Sequence, residues 1–525
     1  MQLPEQEYNG SNIVQIRPQE NITTGAFSGQ ATFIIDIAKD EMIIPKSIYM
    51  SARVSLSSSE FVTATNALDT GNLPLGMTST TVTNTKTVGC IASGGIDNLF
   101  NKMQHEISGI STGSSVVQNI ENYQQTCSLL RLNHEHPNIA CKNSIDPFIL
   151  KEKGKFLNTT AIFNDANHSR LSQVVNNNFI DETPIEYVLR NAYQQGLVYN
   201  NEISLSTRPP VAMFMQEGKL YQGQHILRFT IDPDFRRKFV NAINIVGTNT
   251  TILGAVTAFN GSYAEDSTVS NRIGVSINDL YLYVEYVKIN LPMGRPIGKH
   301  LHVFESWNTT QHACPNGNSD NFILPCKANL LKIIIGFRRS SVITNGGVQQ
   351  ALFIPEMPGF NQINLNQIYI KYLSDTYPQT NYSMKLINSY PFSADALLNR
   401  YVPSTNIGTN FDTVRAYEDY LINSDIESPE EAMTFDQWCS NPIFVFKFCN
   451  QTSQSSNVEV NLSCNSSVGT VFDSEFLINA GRILNGVATP NELNGVIMYL
   501  TYIYRIVVES DFGEDSVNYR VYNVA

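Results

Sequence analysis

Seven apolar side chains on strictly alternating positions restrict this chain more than any other feature: Val496, Met498, Leu500, Tyr502, Tyr504, Ile506 and Val508. The run VIMYLTYIYRIVVE (496–509) is too short to cross a bilayer as a helix, which takes roughly 20 apolar residues. Most of its residues are β-branched or aromatic and fit a pleated surface better than a helix. The intervening positions carry Thr501, Arg505 and Glu509, so the period of two predicts a long strand with one apolar and one wet face. A strand of that kind belongs to a sandwich or barrel.

The rest of the chain reads the same way. ATFIIDIA (31–38), KSIYMSARVSLS (46–57), HILRFTIDP (225–233), NDLYLYVEYVKIN (278–290), ANLLKIIIGFRR (328–339), NQIYIKYLS (366–374), PIFVFKFC (442–449) and NVEVNLSC (457–464) are expected strands, punctuated by Gly, Asn, Ser and Pro clusters. Expected helices are few. TPIEYVLRNAYQQG (183–196) has Thr183 as N-cap, Pro184 in the first turn, Glu186 completing a capping box and Gly196 as a stop. SPEEAMTFDQW (428–438) starts alike, and SVVQNIENYQQTCSLLR (115–131) sets Val116, Ile120, Tyr123, Cys127 and Leu130 on one helical face. Strands do not alternate regularly with helices, which disfavours a doubly wound parallel sheet. The expectation is an all-β chain with short helices in its loops.

At 525 residues the chain is too long for one core. Pro292, Gly294, Pro296 and Gly298 break both periodicities just after a long strand, which divides the chain into 1–292 and 293–525. Each part ends in a Tyr-rich strand, and each opens with a short apolar one, ATFIIDI against HLHVFES (300–306). These pairs suggest an internal duplication.

Composition narrows function. With 42% hydrophobic residues the chain can build sizeable cores, and a net charge of −12 argues against a general nucleic-acid surface. MQLPEQEYNGSNIVQIRPQE lacks the basic start and apolar run of a signal peptide, and no stretch is expected to span a membrane. The eight cysteines form no CxxC pair and are expected as reduced, mostly buried thiols. Eleven Asn-x-Ser/Thr sequons, Asn158, Asn249, Asn308 and Asn461 among them, follow from an Asn-rich composition and are expected to carry no sugar.

Four constellations could carry chemistry. GISTG (109–113) matches the nucleophile elbow G-x-S-x-G with Ser111 as nucleophile, but the elbow belongs to a parallel α/β sheet and Gly and Ser are ordinary turn residues. His300, His302, His312, Cys314 and Cys326 fall within one stretch and are all possible zinc ligands. Their spacing matches no ligand pattern, although His300 and His302 would share a strand face. NHEHPNIAC (133–141) is not HExxH and reads as a polar loop. DFRRKF (234–239) and FRR (337–339) are short basic runs, more often solvated edges than phosphate contacts. The expectation is a non-enzyme with no catalytic, cofactor or metal residues.

The order of elements carries a resemblance. ATFIIDIA and IIPKSIYMSARVSL are followed by NLFNKMQHEISG, ENYQQTCSLLR, GQHILRFTIDPDF and NDLYLYVEYVKIN. FILPCKANLLKIIIGFRRSS, PGFNQINLNQIYIKYLSDTYP, TFDQWCSNPIFVFKF and the long strand before SVNYRVYNVA come after them. This resembles the double jelly-roll, hexon-like major capsid proteins of Polinton/Maverick elements, virophages and polinton-like viruses. Segments 58–96 and 140–182 take no part in it. The resemblance implies two tandem eight-stranded jelly-roll β-sandwiches and a structural role without catalytic residues. Three copies would form a pseudo-hexameric capsomer tiling an icosahedral shell, in a virion assembled inside the host cell. The implied partners are further copies of the chain, penton proteins and minor capsid proteins, and Ser111 would lie in a turn. Rival readings are a lectin-like carbohydrate-binding sandwich and a non-capsid double jelly-roll scaffold.

Overall fold

The structure is a computed structural model that describes residues 8–20, 29–57, 86–91, 95–112, 115–134, 202–215, 218–232, 240–245, 274–289, 298–314, 319–339, 342–345, 348–351, 365–382, 392–395, 400–403, 411–424, 438, 443–449, 452, 454–464, 496–512 and 517–522. The expected helices at 183–196 and 428–438 lie outside these residues, except for Trp438 itself.

Strands come in chain order as β1 (Tyr8–Ile16), β2 (Gln30–Ile43), β3 (Tyr49–Ser57), β4 (Lys86–Ile91), β5 (Phe100–Ile107), β6 (Ile110–Thr112), β7 (Val116–Glu121), β8 (Glu202–Thr207), β9 (Leu220–Ile231), β10 (Val240–Ile245) and β11 (Gly274–Ile289). Eight of them form two leaves, β1-β11-β3-β8 and β2-β9-β5-β7. The leaves meet at a corner where Glu41–Ile43 of β2 pair with Tyr286–Lys288 of β11. Side-chain parity explains why they face each other. Ala31, Phe33, Ile35 and Ile37 of β2 and Leu227, Phe229 and Ile231 of β9 point inward from one leaf. Met50, Ala52 and Val54 of β3 and Leu280, Leu282 and Val284 of β11 point inward from the other. A register shift between Ile277 and Asp279 moves β11 from odd to even inward positions.

The remaining strands are β12 (Gly298–Ala313), β13 (Ser319–Cys326), β14 (Leu330–Arg339), β15 (Val342–Asn345), β16 (Val348–Ala351), β17 (Leu365–Tyr372), β18 (Asp375–Tyr377), β19 (Phe392–Asp395), β20 (Arg400–Pro403), β21 (Ile443–Lys447), β22 (Ser456–Cys464), β23 (Val496–Phe512) and β24 (Val517–Tyr522). Eight of these again form two leaves, β12-β23-β14-β21 and β13-β22-β17-β18. Counted along each set of eight, both sandwiches have leaves 1-8-3-6 and 2-7-4-5. That order is the double Greek key of a jelly roll, so the fold is all-β with two eight-stranded jelly rolls in one chain. Short extra pairs, β4 with β10, β15 with β16 and β19 with β20, lie outside these leaves.

The duplication therefore holds at the level of topology, with a correction. The strand of HLHVFES, β12, is first in its sandwich and matches β1, whereas ATFIIDI lies in β2 and matches β13. The sequence YNGSNIVQI of β1 has too few apolar positions to stand out.

A second correction concerns 115–131. Val116–Glu121 is strand β7, paired with β5, and helix α1 runs only from Tyr123 to His134. Val116, Val117 and Ile120 favour the pleated edge, and the break is made by Asn122 at φ 54, a left-handed conformation that Asn tolerates. A helix that alternation did not signal, α2 (Phe411–Asn423), buries Thr413, Ala416 and Tyr420. Tyr420 and Trp438 join the second core, where the Trp438 ring lies 5.7 Å from that of Phe444 and its indole N–H donates to Ile443 O at 2.9 Å.

Candidate functional site: the face joining the two sandwiches

The expected wet face of 496–509 is wet at Arg505, half-buried at Glu509 and closed off at Thr501. Tyr499, Thr501 and Ile503 are as buried as Met498, Leu500 and Tyr502 on the other side. Tyr499 and Ile503 join Met498, Leu500 and Tyr502 in the second core, while Thr501 is covered from the first half of the chain. Helix α1 brings Thr126 against β12 and β23, where the hydroxyls of Thr126, Thr309 and Thr501 form a fully buried chain. Thr126 Oγ1 also donates to Asn122 O at 3.1 Å, and Asn122 Nδ2 donates to Thr309 O at 3.1 Å. A polar side chain that alternation assigns to solvent is here a hydrogen-bonded partner across an internal face. Thr309→Val removes the middle hydroxyl, so Thr501 loses its bond while Thr126 keeps only Asn122 O. The expected cost is about 1–3 kcal/mol in urea unfolding, against a few tenths for the exposed Thr380→Val.

Toward the other end, Phe304 of β12, Val508 of β23 and Tyr519 of β24 belong to the first core rather than the second. Tyr519 O–H donates to Gln222 O at 2.6 Å. Its ring lies against Gly223, where an added Cβ would sit 2.4 Å from the phenolic oxygen. β24 further pairs in parallel with β6 through Tyr519–Ile110 and Arg520–Thr112. A strand of the first half thus extends a sheet of the second.

Beside Tyr519 lie two wholly buried histidines, His105 of β5 and His225 of β9, with His105 Nε2 and His225 Nδ1 3.1 Å apart. Burial, and then His225, push His105 well below the usual imidazole range. Burial, and then His302, lower His225 to about 3. His302 is lowered by burial and by His300. Neutral imidazole is therefore the form this face accommodates. Neither His105 nor His225 was singled out from the sequence, although both sit at inward parity, with Met103 and Ile107 or with Leu227 and Phe229.

The five zinc candidates separate into two places. His300 and His302 share the β12 face toward the first sandwich, and the His300 ring lies 5.4 Å from that of Phe512. His312 is ten residues further along the strand, roughly 33 Å from His302. It stacks on Phe322 at 3.6 Å and bonds Asp320 at 2.9 Å. Cys314 and Cys326 are buried in the second core. Among the described residues no group of three His, Cys, Asp or Glu is placed to hold a metal. Cys127 is buried as well, while Cys449 is exposed, so most of the described cysteines are buried as expected.

Ser111 lies in β6, a strand rather than the expected turn, with Gly109 at φ 79 providing the turn before it. Asn133 and His134 end α1, and 135–141 lie outside the described residues, as does DFRRKF. Phe337 is fully buried in β14. No helix among the described residues is long and apolar enough to cross a membrane.

No family model matches the chain, and no curated protein matches it. Among solved structures it is similar to a chain of the Sputnik virophage determined by cryo-EM, with 13% identity, a TM-score of 0.49 and coverage of 100% of this chain and 91% of that one. It is also similar to the mavirus major capsid protein, with 9% identity, a TM-score of 0.38 and coverage of 97% and 90%. For the Faustovirus major capsid protein the values are 9%, 0.35, 95% and 90%.

Proposed function

We propose that this chain is a major capsid protein, a structural subunit of an icosahedral shell rather than an enzyme. The observation that carries the reading is the repeated 1-8-3-6/2-7-4-5 topology, with the two copies joined by a buried face. Two jelly rolls locked side by side make one wedge with two similar but unlike flanks. Three such wedges close a ring through heterologous contacts and present six sandwiches, a pseudo-hexamer. A lectin or a scaffold protein can use the jelly roll as well. The fusion of two into one block suits tiling, because flexing between them would blur the angle of the ring.

The two units of this proposal are 1–292 and 293–525. On β12, Leu301 and Val303 are 63% and 53% exposed and alternate with the buried side. They offer apolar surface to a neighbouring copy or to penton and minor capsid proteins in the virion. A chain of net charge −12 would leave nucleic-acid packaging to other components.

Light scattering on the purified chain tests the proposal, together with negative-stain images of the same sample. A mass three times 58.6 kDa with hexagonal outlines is expected. A monomer that fails to assemble at any salt or pH would overturn it.

A further inference from the structure

We propose that the histidine cluster at the joining face is an acid-sensitive latch: neutral, it lets β12 and β24 close over the first core, and protonated, it drives them off. This stands apart from the capsid reading, since it concerns only the closure of one chain.

The geometry leaves little room for charge. His105 and His225 are both fully buried, and their 3.1 Å contact uses one nitrogen of each ring. The other two nitrogens, His105 Nδ1 and His225 Nε2, have no hydrogen-bond partner among the described residues. In the neutral pair one ring donates and the other accepts. One added proton can sit on a partnerless nitrogen without breaking that bond. A second cannot, because two N–H groups would then point at each other. Phe214 packs against both rings, at 5.1 Å from His105 and 5.7 Å from His225.

Among the described residues, the surrounding elements supply no compensating charge. On β5 and β9 the nearest ionic groups, Glu106 and Arg228, point to the opposite side of the leaf and pair with each other. β12 presents His300 and His302 to this side, while Lys299 and Glu305 lie at the alternate parity and pair with Glu509 and Lys332. β23 places Val508 and Ser510 opposite His302 and His300. β24 contributes Tyr519, whose hydroxyl burial holds in its protonated form, while Arg520 sits opposite Glu509. The turn Ala212–Phe214 is apolar. The charges that bear on each buried histidine are those of other histidines, so each proton taken up makes the next less welcome.

The direction of linkage follows. Both imidazoles are depressed in the closed form and return to about 6.5 once exposed to water. Their contribution is fully present above about pH 6.5 and is lost progressively as pH falls from there toward the closed-form values, about 3 for His225. Each histidine shifts the opening equilibrium about tenfold per pH unit in that window, and the pair about a hundredfold.

Hydrogen–deuterium exchange on the full chain between pH 7.5 and 5 tests this, read as protection factors. Protection in β24 and in 298–304 is expected to fall about a hundredfold per unit below pH 6, while β17 and β22 of the second core hold theirs. The double variant His105→Gln/His225→Gln should flatten that slope. If it does not fold, His302→Asn decides, because His302 is itself depressed by burial and adds its own proton uptake to that of the pair, so its removal should lower the slope measurably. Unchanged β24 protection across the range, equal loss in β17 and β22, or a wild-type slope in His302→Asn would each overturn the latch.

Discussion

Replacing Gly223 by valine is expected to abolish the closed arrangement of the two sandwiches. Gly223 adopts φ +151, which side-chain-bearing residues rarely reach, and an added Cβ would lie 2.4 Å from the Tyr519 hydroxyl oxygen and 2.9 Å from Cε2. Neither partner can yield cheaply. The Tyr519 ring is buried and its hydroxyl is tied to Gln222 O. Its backbone is held by β23 on one side and β6 on the other. Backbone strain alone costs about 1–3 kcal/mol, and displacing a buried aromatic ring adds several more. Urea unfolding of Gly223→Ala in the native and Tyr519→Ala backgrounds separates the two terms. The alanine should cost less once the ring is gone, by about 2 kcal/mol or more. Equal costs in the two backgrounds would mean that the ring does not set the limit.

That lock shows which parts of the molecule alternation can reveal. Strands with a continuous apolar face, such as β2, β9, β11, β14 and β23, were legible because burial selects every second residue. β1 was not, because its contribution lies mainly in backbone pairing with β11, and Ile13 is 61% exposed. β7 reads as the start of a helix because Val116 and Ile120 are four residues apart, a spacing that also fits a helical face. Thr501 reads as solvent-facing for a related reason. Alternation distinguishes polar from apolar sides but not solvent from a second sandwich, and a threonine satisfied by another threonine looks like an exposed one. The zinc candidates are close in sequence, whereas β12 is extended and carries His302 and His312 far apart. His105 and His225, which meet, and His302, which lowers His225, come from three strands separated by long stretches of chain. Only the topology brings them together.

If the joining face is as continuous as its burial suggests, damage to either core should be felt by both. Phe229→Ala opens the first core, where that ring sits 5.0 Å from Phe100, 5.8 Å from Tyr123 and 6.1 Å from Phe33. Trp438→Ala opens the second beneath α2, removing contacts with Phe444 and Tyr417 and the bond to Ile443 O. Each truncation is expected to cost about 3–5 kcal/mol. Two independent domains would give two calorimetric transitions, each variant lowering one and sparing the other. The observed face argues otherwise. Phe304, Val508 and Tyr519 are carried by strands of the second sandwich and buried in the first core, while Leu129 of α1 is buried in the second. Opening either core therefore exposes surface belonging to both. The expected calorimetric result is one transition, displaced to lower temperature by both substitutions. Below about pH 6 the histidine latch should weaken that coupling, so the Phe229→Ala protein is where a split into two transitions should first be seen. A split already present in the native protein at neutral pH would show that the face joins the sandwiches without making them one cooperative unit.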